Sequence, residues 1–180
     1  MADVFAWHNG AVANAAALMN RGLAYGDGLF ETLKVRNGRA EFLAEHLERL
    51  LRDGRRLQIS IDMIALQIEL TPIIHSQRDG ILKIIITRGA GGRGYAAATN
   101  TAERFVLFYP QQFEADARSR DGVAVRLCRQ RLSEQPALAG IKHLNRLEQV
   151  LARAEWSDSA IAEGLMLDNA GRLIEGTMSN

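Results

Sequence analysis

The 180-residue chain has a single cysteine, no excess of charge of either sign and no long hydrophobic run. A lone Cys128 cannot form an internal disulfide, and the opening MADVFAWHNG lacks the basic-then-apolar pattern of a secretory signal, so a cytoplasmic location is expected. Lys and Arg number 22 against 21 Asp and Glu, a formal net charge of +1. That balance removes the whole-chain footprint that nucleic acid or an anionic membrane would select, so any bound anion must be held by local groups. The longest apolar run, Ile81 to Thr87, is interrupted by Lys83 and falls far short of the roughly 20 residues of a membrane helix. His8, His46, His75 and His143 are scattered, with no second histidine or cysteine at metal-ligand spacing, so no metal site is expected.

What is present is a chain with 47% hydrophobic residues, enough for a substantial core. Asn37-Gly38 between the apolar-rich runs of Leu29 to Phe42 predicts a β-hairpin. Leu43, Leu47, Leu50, Leu51 and Leu57 recur at helical spacing, with His46, Arg49, Asp53 and Arg56 on another side, giving an amphipathic helix weakened at Gly54. Asp62 caps a second helix through about Leu70, interrupted or kinked at Pro72. Ile81 to Thr87 reads as a strand buried on both faces, with Phe105 to Tyr109 as a similar partner and the glycine-rich RGAGGRGY between them. Residues 111 to 121 are polar and aperiodic, and a second unit starts near Gly122. In it, Val123 to Leu127 alternates as a strand. A helix runs from Lys142 to Trp156, with Leu144, Leu147, Leu151 and Ala154 as its apolar stripe. A hairpin then turns at Asn169-Ala170-Gly171. The resulting organisation is residues 1–113 as an N-terminal domain, 114–121 as a linker and 122–180 as the start of a second domain. The chain ends directly after that hairpin, at GTMSN, and is expected to be cut short.

Several residues carry candidate chemistry. Lys142, in AGIKHLNRLEQVLA, falls in the first turn of the predicted helix, where the dipole disfavours an ammonium and so favours the neutral amine an imine requires. A solvated lysine at a helix start is the plainer alternative. Glu175, at a strand end in LIEG, is able to pair with a protonated pyridine nitrogen, or simply to face water. Arg49 carries a fork suited to phosphate, on a helix face where a solvated arginine is the plainer reading. Arg88 and Arg93 flank glycines that permit close backbone approach and are candidates to receive a substrate carboxylate, or the glycines only shape a turn. That glycine run is no dinucleotide fingerprint, because YAAATNT follows it in place of a helix opening. No Gly-Lys-Ser/Thr and no G-x-S-x-G occurs.

In chain order, RGLAYGDGLFET (21 to 32), EHLERL (45 to 50), ITRGAGGRGY (86 to 95), AGIKHLNRLEQVLA (139 to 152) and IEGTMSN (174 to 180) resemble the aminodeoxychorismate lyase family, within the class IV aminotransferase-like group of pyridoxal-phosphate enzymes. The resemblance implies an α+β protein of fold type IV: an N-terminal two-layer α/β domain followed by an incomplete, β-barrel-like C-terminal α/β domain. It implies pyridoxal 5'-phosphate as cofactor. Lys142 would carry it as a Schiff base and shuttle a proton, Glu175 would pair with the pyridine nitrogen, Arg49 would bind the phosphate and Asn145 would help position the group. Tyr25, Arg88, Arg93 and Tyr109 become candidates for the substrate-pocket wall. The implied reaction converts 4-amino-4-deoxychorismate into 4-aminobenzoate and pyruvate, a step towards folate, in a homodimer acting on a small molecule. Branched-chain and D-amino-acid aminotransferases of the same fold would use the same lysine, arginine and glutamate. KHLNRLEQ and TRGAGGRGY look more like the lyase. An inactive fragment and a non-catalytic binding module are the readings from a different class.

Overall fold

The computed structural model describes residues 5–12, 20–76, 79–90, 95–97, 100–113 and 120–179. The chain divides into two compact units, Met1–Phe113 with Ile141–Leu144, and Glu114–Gly140 with Asn145–Asn180.

Unit 1 is built on β1 (Phe5–His8), β2 (Ala11–Val12), β3 (Gly28–Arg36), β4 (Arg39–Ala40), β5 (Gly80–Thr87) and β6 (Glu103–Pro110), with helices α1 (Arg21–Tyr25), α2 (Leu43–Arg56) and α3 (Met63–Ser76). The strands form one sheet in the order β2-β1-β6-β5-β3-β4, and every pairing in it is antiparallel. The Asn37-Gly38 turn forms as expected, both residues taking positive φ (49° and 69°), which matches the twist of a two-residue hairpin. Leu29, Leu33 and Val35 of β3, Leu82, Ile84 and Ile86 of β5, and Val106 and Phe108 of β6 form the buried sheet face. Leu47 and Leu50 of α2 and Leu66, Leu70, Ile73 and Ile74 of α3 complete that core, so helices and sheet make two layers.

Three expectations for this unit are corrected. β5 is not buried on both faces: Leu82, Ile84 and Ile86 are buried while Ile81, Lys83 and Ile85 are only partly covered, because an antiparallel sheet with helices on one side leaves the other face open. The second helix runs on to Ser76 with Pro72 inside it, the missing proline donor falling near the C-terminal end, while Asp62 Oδ1 accepts from Ala65 N–H (2.9 Å) as a cap. Gly54 is no weak point. A Cβ there would stand 2.7 Å from Ile61 Cδ1 and 3.2 Å from the Ile59 carbonyl, so the glycine is what lets the chain pack against α2.

Unit 2 contains β7 (Ala124–Leu132), α4 (Leu147–Arg153), β8 (Ile161–Asp168) and β9 (Leu173–Gly176). β7 and β8 pair in parallel, and β8 and β9 pair antiparallel. The core is Cys128, Leu132, Ala152, Trp156 and Met166, with Ile161 packed against it. Here the largest sequence expectation fails. No helix runs from Lys142 to Trp156; α4 starts at Leu147, and Leu147 (76% exposed) and Leu151 (58%) of the expected apolar stripe point away from this core. Of the linker expected at 114–121, residues 114–119 lie outside the described residues. No described helix is long and apolar enough to cross a membrane.

Candidate active site

The segment Ile141–Leu144 leaves its neighbours in sequence and belongs to unit 1, where it runs along the start of β3. Phe30 N–H donates to the Lys142 carbonyl (3.1 Å), Leu144 N–H donates to the Gly28 carbonyl (3.0 Å), and His143 forms an antiparallel bridge with Leu29. These backbone bonds compete with helix formation and explain why α4 begins only at Leu147. Lys142 therefore lies outside the helix, away from its dipole. Gly28 makes the docking possible, since a Cβ there would lie 2.3 Å from the Ile86 carbonyl and 2.8 Å from Leu144 Cδ1.

The chain has three lysines. Lys34 pairs with Glu41 (3.8 Å) and lies 4.5 Å from the Phe113 ring centre. Lys83 and Lys142 both place Nζ over the Phe30 ring, at 5.3 and 4.7 Å, on the sheet face away from the helices. Lys142 is half-buried there, with its main chain fixed and its amine beside an aromatic surface.

On the helix side of β3, Glu31 is 1% exposed and accepts a bidentate fork from Arg49, Nε to Oε1 at 2.6 Å and Nη2 to Oε2 at 2.5 Å. His46 Nδ1 lies 2.6 Å from the same carboxylate. The Glu31 hydrogen bonds hold the Arg49 guanidinium above its ordinary pKa against the opposing effect of burial, and the charges of Glu31 and Asp53 add to this. Among the described residues nothing hydrogen-bonds Arg49 Nη1, which leaves two aligned donors on an arginine whose orientation is fixed. Asp53, one turn further along α2 and also 1% exposed, accepts from Lys142 N–H through Oδ2 (3.1 Å) and from Arg52 through Oδ1 (2.9 Å).

Glu175 and Asn145 belong to unit 2. Glu175 stands on β9 opposite Met166, and its Oε1 accepts from Gln149 Nε2 (2.6 Å) with Arg146 at 3.7 Å. Gln149 Oε1 is buried without a hydrogen-bond partner, and Glu175 Oε2 accepts no bond among the described residues. Asn145 is exposed. The β9 end is fixed by Glu163, which accepts from the N–H groups of Gly164, Thr177, Met178 and Ser179 and from the hydroxyls of Thr177 and Ser179. Burial pushes the Glu163 carboxyl up, but those bonds outweigh it and hold it below the usual range.

The expected pocket-wall residues fare unequally. Arg88 does not offer a free fork: Nε binds Asp27 (2.9 Å), Nη2 binds the Leu57 carbonyl (2.7 Å) and Nη1 binds the Gln58 carbonyl (2.8 Å) and Asn100 Oδ1 (3.2 Å). With Arg21 on the same Asp27 oxygen (2.9 Å), it is a clasp within the fold. Asp27 is raised by burial, yet the Arg88 and Arg21 bonds leave it net lowered. Tyr109 is paired with Ile81 and Ile81 with Lys34, four positions along the strands from the row of Phe30, or about 13 Å. It is therefore not brought to Lys142. Tyr25 is 40% exposed and tilts against Tyr95, with ring centres 5.4 Å apart. Arg93 lies outside the described residues. Glu31, Asp53, Gln149 and Glu163 were missed as site-forming residues. The signal for Asp53 was the i, i+3, i+7 spacing of His46, Arg49 and Asp53, which places all three on one helix face.

Comparison with known proteins agrees with this architecture. The Amino-transferase class IV family matches residues 28–180, and the chain belongs to that family. Its fold is that of the type IV pyridoxal-phosphate enzymes. A crystal structure of 4-amino-4-deoxychorismate lyase from Pseudomonas aeruginosa superposes with a TM-score of 0.91 at 50% identity, covering 97% of this chain and 65% of that one. An aminodeoxychorismate lyase of Vibrio harveyi is 36% identical over 97% of this chain and 65% of its own length. A putative branched-chain-amino-acid aminotransferase of Methanocaldococcus jannaschii is 29% identical over 91% of this chain and 58% of its own. The chain thus spans just under two thirds of the relatives it matches.

Proposed function

We propose that this chain carries the Lys142, Arg49 and Glu175 machinery of a pyridoxal-phosphate-dependent 4-amino-4-deoxychorismate lyase. The observation that carries the reading is the clipping of Lys142 to β3 and to the helix bearing Arg49, in a chain half identical to a lyase of solved structure.

The residues present fit the cofactor. Arg49 Nη1 offers two donors to a phosphate, and a guanidinium already gripped by Glu31 loses little freedom in binding it. Glu175 Oε2 is free to accept from a pyridine N–H, and the orphaned, buried Gln149 Oε1 beside it marks an environment that wants a donor. When bound, pyridoxal phosphate supplies an electron sink. Lys142 would hold it through Nζ, and the same atom would accept the proton from the amine-bearing ring carbon of the substrate. Glu175 would pair with the pyridine nitrogen and so favour the electron-accepting form. The carbon-oxygen bond to the enolpyruvyl group then breaks, giving 4-aminobenzoate and pyruvate with no atoms left over, and aromatisation drives the step.

The test is formation of 4-aminobenzoate from aminodeoxychorismate by the full-length enzyme. Rapid transamination of leucine or D-alanine with no 4-aminobenzoate would favour instead the aminotransferase reading, which the Methanocaldococcus relative supports. A homodimer in the cytoplasm, with a small molecule as substrate, completes the proposal.

A further inference from the structure

Asp53 carries a buried charge that the proposed chemistry does not use. It is 1% exposed, and a carboxylate so placed must be compensated by hydrogen bonds. One compensating partner is Arg52, itself 58% exposed and therefore a weak anchor. The other is the backbone N–H of Lys142, 89 residues away in sequence. The Lys142 carbonyl is fixed independently by Phe30 N–H. With both its N–H and its C=O held, the direction of the Lys142 Cα–Cβ bond is set, and only side-chain rotation remains to place Nζ.

Asp53 also follows Arg49 by four residues, one turn and about 6 Å along α2. Arg49 is locked to Glu31, and Lys142 is locked to Asp53. One rigid helix therefore fixes two groups that would bind neighbouring substituents, the aldehyde and the phosphate arm, of the same small molecule. Loss of the carboxylate would leave the Arg49 grip intact and release only the lysine.

We propose that Asp53 is a positioning residue for Lys142, with α2 serving as the spacer between the phosphate-holding Arg49 and the lysine's main chain. This rests on the reading that Lys142 and Arg49 hold pyridoxal phosphate. Asp53 touches no reacting atom; it acts through the lysine backbone.

The test compares Asp53→Ala and Asp53→Asn with the parent in the full-length protein, by single-residue amide exchange and by borohydride trapping of added pyridoxal phosphate. Leu144, whose N–H bonds the Gly28 carbonyl in the same segment, is the internal reference. The Lys142 amide should exchange about tenfold faster in Asp53→Ala relative to the Leu144 amide, the scale of one charge-assisted hydrogen bond, and less so in Asp53→Asn, which keeps an oxygen acceptor. The fraction of bound cofactor trapped on Lys142 should fall in Asp53→Ala and recover in Asp53→Asn. Equal quickening of the Lys142 and Leu144 amides, or an unchanged trapped fraction in Asp53→Ala, would overturn the proposal. If Asp53→Ala does not fold, the parent protein decides: a Lys142 amide as protected as that of Leu144 supports the tie, and an unprotected one overturns it. If the parent traps no cofactor on Lys142, the proposed function fails, while the amide comparison still decides whether Asp53 holds the lysine.

Discussion

The two units handle their partly or fully buried carboxylates differently. In unit 1, Glu31 meets the Arg49 fork and Asp27 meets both Arg21 and Arg88, so charge is answered by charge over a broad core of three strands and two helices. In unit 2, Glu163 collects backbone N–H groups and hydroxyls at a loop end, and Asp168 adds two backbone N–H groups to its ion pair with Arg172, beside a core of five side chains. The first arrangement fixes cationic side chains, leaving Arg49 with open donors while Arg21 and Arg88 clasp the fold. The second shapes main chain, which in unit 2 means the loop directly after Glu175.

The contrast can be broken at several points. The largest effect is expected at the lysine: Lys142→Ala in the full-length enzyme should lower 4-aminobenzoate formation by at least about a hundredfold, measured by product assay, whereas Lys83→Ala should not. Next is the ion pair. Arg49→Met leaves Glu31 buried with only His46, and chemical denaturation should show a loss of about 2 to 3 kcal/mol, below the value for a wholly buried pair because Arg49 is a third exposed. Gly28→Ala forces a Cβ onto the Ile86 carbonyl and Leu144, and should cost about 1 to 3 kcal/mol while loosening the 141–144 segment in amide exchange.

Acid acts on both units with the same sign. Asp27 and Glu163 both titrate below their ordinary values, so the stability they confer is complete above the unfolded-state values of about 4 and is lost as pH falls through the folded ones. Urea midpoints should be flat above about pH 5 and drop below it, and Glu163→Gln should flatten that drop only in probes of unit 2. The smallest effect is at Leu147: Leu147→Ser in the 180-residue chain should shift stability by no more than about 0.5 kcal/mol, because this side chain is not part of the unit's core.

Much of unit 1 was legible because local chemistry and tertiary packing agree there. Asn37-Gly38 specifies its turn unaided, and the leucine spacing of α2 specifies its buried face. Lys142 was legible as a residue but not in its setting. AGIKHLNRLEQVLA has helical spacing throughout, and what overrides it is backbone pairing with Gly28 and Phe30, more than a hundred positions earlier. Asp53 was legible only as lying on the side of α2 away from the leucines, since its partner is a main-chain N–H that no side-chain pattern reveals. The setting of Arg88 was hidden too. Glycines beside an arginine suggest a ligand loop, while the carbonyls of Leu57 and Gln58 that occupy it carry no sequence signature.

Borohydride reduction of the full-length protein with pyridoxal phosphate, followed by peptide mass mapping, tests the central claim most directly. Within these 180 residues three lysines compete, and two of them share the Phe30 ring. The account predicts a pyridoxyl group on Lys142 alone; the same group on Lys83 or Lys34, with Lys142 unmodified, would contradict it.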